Sequence, residues 1–150
     1  MAVEKIRTDE FTYDFVISSD NNIAVTTSGE VLLVVSNLCR PTKHKSFTLY
    51  KMDPNSDPDD LLDLTKLVEV DSLGDEALLL DSGITVPADH TRGIEPNSIY
   101  FTRHDRVRSK KCSYLDVCVY NFVTKTIKRF PGLSNLNIKD ALWFVPFLHL

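Results

Sequence analysis

The sequence predicts an all-β protein. Three observations carry this: short segments rich in β-branched and aromatic residues recur along the chain, turn residues punctuate them at even spacing, and helical periodicity is thin. A sandwich, a barrel and a propeller all satisfy that pattern.

The elements follow in order. Phe11, Tyr13, Phe15 and Ile17 alternate with polar residues, which predicts a half-buried strand. Asn22 to Thr27 and Glu30 to Leu38 flank Ser28-Gly29 and read as a hairpin. Within its second arm, Val31-Leu32-Leu33-Val34-Val35 is apolar on both faces, the mark of a strand covered on both sides. Phe47 to Met52 predicts the next strand. Asp53 to Asp60 is an acidic break whose two prolines preclude a regular ladder. Asp59 to Lys66, with Leu61, Leu62 and Leu64, offers the weak helical stripe. Leu67 to Val70, Ala77 to Asp81 and Ser98 to Thr102 are short strands separated by turn signals at Gly74 and Ser82-Gly83. Leu115 to Phe122 and Ile127 to Phe130 form a hairpin that Pro131-Gly132 stops, and it should lie within one blade of a propeller. At the C-terminus Leu142-Trp143-Phe144-Val145 predicts a buried Trp143.

The 150 residues suit a single domain, 1-150. A hydrophobic content of 43% and a charged content of 25% are those of an ordinary globular protein. Acids exceed bases by 21 to 17, a net charge of −4, so bulk binding of nucleic acid is not expected. Cys39, Cys112 and Cys118 cannot all pair within one chain, and no CxxC is present. Met1 to Glu10 lacks the apolar core of a signal peptide. The longest apolar run is far short of the roughly 20 residues that span a bilayer, so no membrane partner is expected. The expected compartment is intracellular, cytoplasmic or nuclear, with an organellar (mitochondrial) branch left open.

Several segments resemble a known family. Val70-Asp71-Ser72-Leu73-Gly74-Asp75-Glu76-Ala77-Leu78-Leu79-Leu80-Asp81 is similar to the "SLGD-x-ALFLG" element of the plant F-box-associated, kelch-like β-propeller domain. Ile94 to Thr102 resembles its "kPNsIYFTDD" strand, and Asp116 to Phe122 its "DigVYnL" strand. Glu30 to Val35 and Phe47 to Asp53 are similar to its "GeLLLV" and "F-x-VYKLD" strands. Trp143-Phe144-Val145-Pro146 resembles the family's end. The matches cover nearly the whole chain in the right order. Departures are the loss of the aromatic and the glycine at Ala77 to Asp81, and Thr102-Arg103-His104-Asp105 in place of "TDD". The resemblance implies the C-terminal part of such a propeller: an open, partial ring of about three antiparallel blades at roughly 40–50 residues each. Members typically begin with a helical F-box that docks onto a cullin-based ubiquitin ligase. Nothing in Met1 to Phe15 resembles one, so adaptor or cullin binding is not expected of this segment alone.

Candidate sites are few. Arg103, His104, Arg106, Arg108, Lys110 and Lys111 crowd the connection between two strands, with Asp105 among them. A solvated tip is the plain reading, and a docking loop for an acidic partner is the functional one. Asp53, Asn55, Asp57 and Asp59 alternate like the start of a calcium loop, but Pro58 stands where the turn needs Gly and Leu64 where a bidentate Glu belongs. His44, His90, His104 and His149 lack zinc spacing, so neither a metal nor a cofactor is expected. No nucleophile elbow, phosphate-cradling loop or HExxH motif is present. Tyr100, Phe101, Tyr120 and Phe122 suit a core better than a base-stacking platform.

The function expected is therefore a non-enzymatic protein–protein interaction module with an unknown protein partner. By resemblance its relatives recruit substrates to ubiquitin ligases. The rivals are a binding domain unrelated to ubiquitination, either organelle-directed or a truncated paralogue, and an unrecognised hydrolase.

Overall fold

The computed structural model describes residues 15–40, 44–55, 66–106 and 113–130, with the backbone alone at 103–106, 113–116 and 130. The strands are β1 (Phe15–Val25), β2 (Val31–Arg40), β3 (Lys45–Met52), β4 (Leu67–Val70), β5 (Glu76–Leu79), β6 (Ile84–Pro87), β7 (Ser98–Arg106), β8 (Ser113–Asn121) and β9 (Thr126–Phe130). They form one open sheet in the order β4-β3-β2-β1-β6-β5-β7-β8-β9.

Within that sheet, β1 to β4 are consecutive antiparallel neighbours and make a first meander. A second meander, β7 to β9, is built the same way. The short hairpin β5–β6 links them, pairing in parallel on both flanks: Val25 with Ile84, and Ala77–Leu79 with Ser98–Tyr100. Each meander buries one apolar face against the other. Ala24, Leu32, Val34, Phe47 and Leu49 of the first pack with Ile99, Phe101, Cys118, Tyr120 and Phe122 of the second sector. Phe47 lies at their centre, its ring 5.1 Å from both Phe101 and Tyr120 and tilted to each, the geometry that aromatic quadrupoles favour. Tyr120 meets Phe122 edge-on at 5.2 Å. On the far side of the second meander, Ala77, Leu79, Val86, Tyr100 and Val119 form a smaller cluster that Ile94 joins. β8 and β9 pair as an antiparallel hairpin, as expected.

Three expectations change. The first strand is not half-buried where it begins: Phe15 is 62% and Ile17 41% exposed, and β1 ladders with β2 from Phe15 through polar Ser18 to Asn22 as far as Val25, with a register shift between Val16 and Ser18. Those polar side chains are tolerated because most of the segment is exposed. β6 had no counterpart in the sequence reading, since Ile84-Thr85-Val86-Pro87 is short and ends in proline. Val31 to Val35 is not covered on both sides: Leu32 and Val34 are buried, whereas Val31 is 54% exposed and Leu33 and Val35 are half-buried. Residues 59–65 of the expected helix, and Trp143, lie outside the described residues, and the count of about three blades extends over residues outside them too.

Candidate interaction surface

Two of the motifs noted above meet in space. Gly74 takes a left-handed φ of 61°, and its N–H donates to Ser72 Oγ at 2.9 Å, closing the turn that leads into β5. Asn97 is also left-handed at φ 52°, a conformation that asparagine tolerates better than most side chains. Its Oδ1 accepts from Leu73 N–H at 2.9 Å, its N–H donates to Glu76 O at 2.9 Å, and its carbonyl accepts from Phe122 N–H at 3.2 Å. One residue thus ties three segments together. Glu76 does the same for the sheet's middle, accepting from the hydroxyls of Thr27 and Thr85 while Thr27 N–H donates to Thr85 Oγ1 at 3.0 Å. The Thr27 bond first, then the Thr85 bond, holds the Glu76 carboxyl below the ordinary carboxylate range. Tyr100 spans the 3-10 turn at His90–Arg92, donating to Gly93 O at 3.0 Å and accepting from Glu95 N–H at 2.9 Å. Burial pushes its phenol upward, the first cause among several.

These ties fix where the basic segment lies. Among the described residues, β5 pairs with β7 as far as Tyr100, and β9 pairs with β8 as far as Val117. The β7–β8 ladder continues beyond both, from Arg103 opposite Asp116 to Arg106 opposite Ser113. The backbone of Arg103, His104 and Arg106 therefore lies on this stretch of the β7–β8 ribbon. Arg108, Lys110 and Lys111 lie outside the described residues. The topology adds what the sequence reading missed. β1 is parallel to β6, β6 antiparallel to β5, and β5 parallel to β7, so β7 ends where β2 ends and β3 begins. Exposed Arg40 and His44 and half-buried Lys45 share that end. Lys45 Nζ sits 5.1 Å from the centroid of Phe101, two positions before Arg103, and 5.5 Å from that of Phe47. The hint in the sequence was the short run Arg40-Pro41-Thr42-Lys43-His44-Lys45.

Two small clefts open among the described residues. One of about 180 Å³ opens between the β1–β2 turn and the loop before β5, lined by Thr26, Ser28, Glu30 and Ser72 among others. Its hydroxyls are engaged locally, Thr26 with Ser28 at 2.9 Å and Ser72 with Gly74 N–H. Another, of about 130 Å³, lies at the basic end beside Asp20, Ser36 and Lys45. Neither is lined by a histidine or a cysteine. Among the described residues no group of three or more His, Cys, Asp or Glu is placed to hold a metal. In the calcium-like run, Asp53 Oδ1 instead accepts from Asn55 N–H at 2.9 Å, an ordinary Asx turn. Among the described residues no helix is long and apolar enough to cross a membrane.

An all-β sheet of face-packed meanders is the architecture of a propeller-type module. The chain belongs to the KIB1-4 β-propeller family, whose sequence profile it matches over residues 4–121. A similar protein is an F-box protein of Arabidopsis thaliana, 61% identical over 137 residues, which cover 91% of this chain and 34% of that protein. The Arabidopsis F-box protein KIB4 is 40% identical over 134 residues, covering 83% of this chain and 30% of its own. F-box protein KIB3, from the same plant, is 38% identical over 138 residues, covering 84% and 29%. The chain thus spans about a third of the length of these curated relatives. No solved structure matches it.

Proposed function

We propose that the chain is a non-catalytic protein-recognition segment of a plant F-box-type propeller, acting in the selection of a protein target for ubiquitin transfer. Membership of a propeller family whose relatives are F-box proteins is the observation that supports this most. The basic end formed by the β7–β8 ribbon with Arg40, His44 and Lys45 is the contact we assign to the target. Cationic groups on a strand end suit an acidic protein segment, attracting it over a Debye length of about 8 Å at physiological salt. The setting we assign is intracellular, and imaging of the tagged chain in plant cells checks it.

The test has two arms. In the first, the tagged chain is used to purify partners from plant extract, beside an intact KIB4 carrying the same tag. A partner shared by both and lost from Arg103→Glu/Arg106→Glu supports the assignment; a partner set indifferent to the substitution contradicts it. In the second arm, recovery of the ligase's adaptor and cullin subunits is scored separately. Their recovery with intact KIB4 but not with this segment places target recognition here and scaffold docking elsewhere. Stoichiometric recovery with this segment alone contradicts that division.

A further inference from the structure

The core-facing side of β2 reads Leu32, Val34, Ser36 and Leu38, with a serine where the alternation asks for an apolar side chain. Ser36 is 3% exposed, one of three buried polar residues among those described. The other two are held within the chain: Thr85 bonds Glu76, and Ser98 Oγ donates to Pro96 O at 3.0 Å. Among the described residues Ser36 Oγ has no such bond. No described side-chain polar atom is both sealed from solvent and unpaired, so that hydroxyl holds part of the little exposure Ser36 keeps. It opens into the cleft of about 130 Å³ at the basic end, whose other walls are Ser18, Asp20, Leu38 and Lys45. The register sets the layout. Asp20, Ser36 and Phe47 form one row across β1, β2 and β3, and Ser18, Leu38 and Lys45 form the next. β2 is therefore the floor. Opposite charges stand on the flanking strands, whose backbones are about 10 Å apart at two strand spacings. The Lys45 ammonium keeps its place beside the Phe101 ring, 5.1 Å from the centroid.

We propose that this cleft is a subsite for one carboxamide side chain, glutamine or asparagine, carried by the acidic segment that the basic end takes; the inference rests on that reading. Size argues for a single side chain, since small-molecule sites run to roughly 300–1,000 Å³. Charge selects its chemistry. A carboxylate would suit Lys45 and Ser36 but set like charge against Asp20, and an ammonium would suit Asp20 but meet Lys45. An apolar side chain would strip water from Ser36 and Asp20 and leave both without a partner. A carboxamide carries both halves of the complement. Its NH2 donates to Asp20, its carbonyl is drawn to the Lys45 charge, and the Ser36 hydroxyl can serve either half. Leu38 packs against the methylenes that carry the amide. A site built to hydrogen-bond one group rejects analogues that lack it.

Fluorescence anisotropy of the full chain with labelled peptides tests this. The probe is Asp-Glu-Gly-X-Gly-Glu-Asp, with Gln, Asn, Glu, Lys, Leu or Ala at X. The better of the Gln and Asn peptides is expected to bind at least tenfold more tightly than the other four. Ser36→Ala is expected to cut that preference at least fivefold while leaving the affinity of the Ala peptide unchanged. Asp20→Asn, at an exposed position that keeps the strand whatever becomes of the serine variant, removes the acid from the lining. It is expected to bring the Glu peptide level with the amide peptides or above them. Six peptides that bind alike, with affinity falling as salt rises, uphold the basic end and overturn the subsite. No binding by any of them overturns both. An amide preference that survives both substitutions overturns the subsite too, because it then arises elsewhere on the chain.

Discussion

Asn97 and Glu76 carry more of this structure than their polarity suggests. Asn97→Ala should remove the acceptor of Leu73 N–H and place a Cβ-bearing residue of poorer left-handed tolerance at φ 52°, costing about 1–3 kcal/mol. Asn97→Gly restores the conformation but not the acceptor, so chemical denaturation should place it between the wild type and the alanine variant. Glu76→Gln should cost about 1 kcal/mol at neutral pH, as it weakens two charge-assisted hydroxyl bonds. The pH dependence has a definite sign. The Glu76 carboxyl is lowered in the folded state from 4.5 by its bonds to Thr27 and Thr85. Its stabilisation is therefore complete above the unfolded pKa and is lost as pH falls through the folded one. Denaturation midpoints of wild type and Glu76→Gln should converge on acidification; a gap that stays constant down to strong acid would assign Glu76 a purely steric role. Neither residue's role was legible beforehand. Asn97 and the Ser72-Leu73-Gly74 turn stood out as pieces of separate motifs, and only folding shows that one hydrogen-bonds the other.

At the scale of elements, the packing of the first meander on the second rests on the ring of Phe47 between Phe101 and Tyr120. Phe47→Ala should cost about 3–5 kcal/mol, the usual range for an emptied buried aromatic site. Combined with Tyr120→Ala in a double-mutant cycle, it should show a coupling of about 0.5–1.5 kcal/mol. Strict additivity would mean that the two meanders do not share a core. Strands were legible where alternation and β-branched composition coincide, as in β2, β3, β7 and β8. β6 was not, because four residues ending in proline carry no period. The length of β1 was not either, since polar Ser18 to Asn21 carries no strand signal of its own and is held by the β2 ladder. The basic ribbon was found as a charge cluster, but its place beside Arg40, His44 and Lys45 depends on the parallel pairing of β1 with β6 and of β5 with β7, which no local pattern in β7 encodes.

For the whole molecule, the closing of one sheet over its own meanders brings distant basic residues to a shared end. Arg40 and His44 lie far from Arg103 in sequence, and no local pattern joins them. Lys45 above the Phe101 ring shows that the fold does. The central claim is that this end recognises an acidic protein segment. Its most direct test is the association rate of the purified chain with the partner that intact KIB4 also captures, measured across a salt series for wild type and Arg103→Glu/Arg106→Glu. Charges at a binding rim act chiefly on association and on its salt dependence. The account predicts a wild-type association rate that falls as salt rises, and a charge-reversed rate that is at least tenfold slower and nearly flat in salt, with dissociation little changed. Association rates that are equal for the two proteins and indifferent to salt would contradict it.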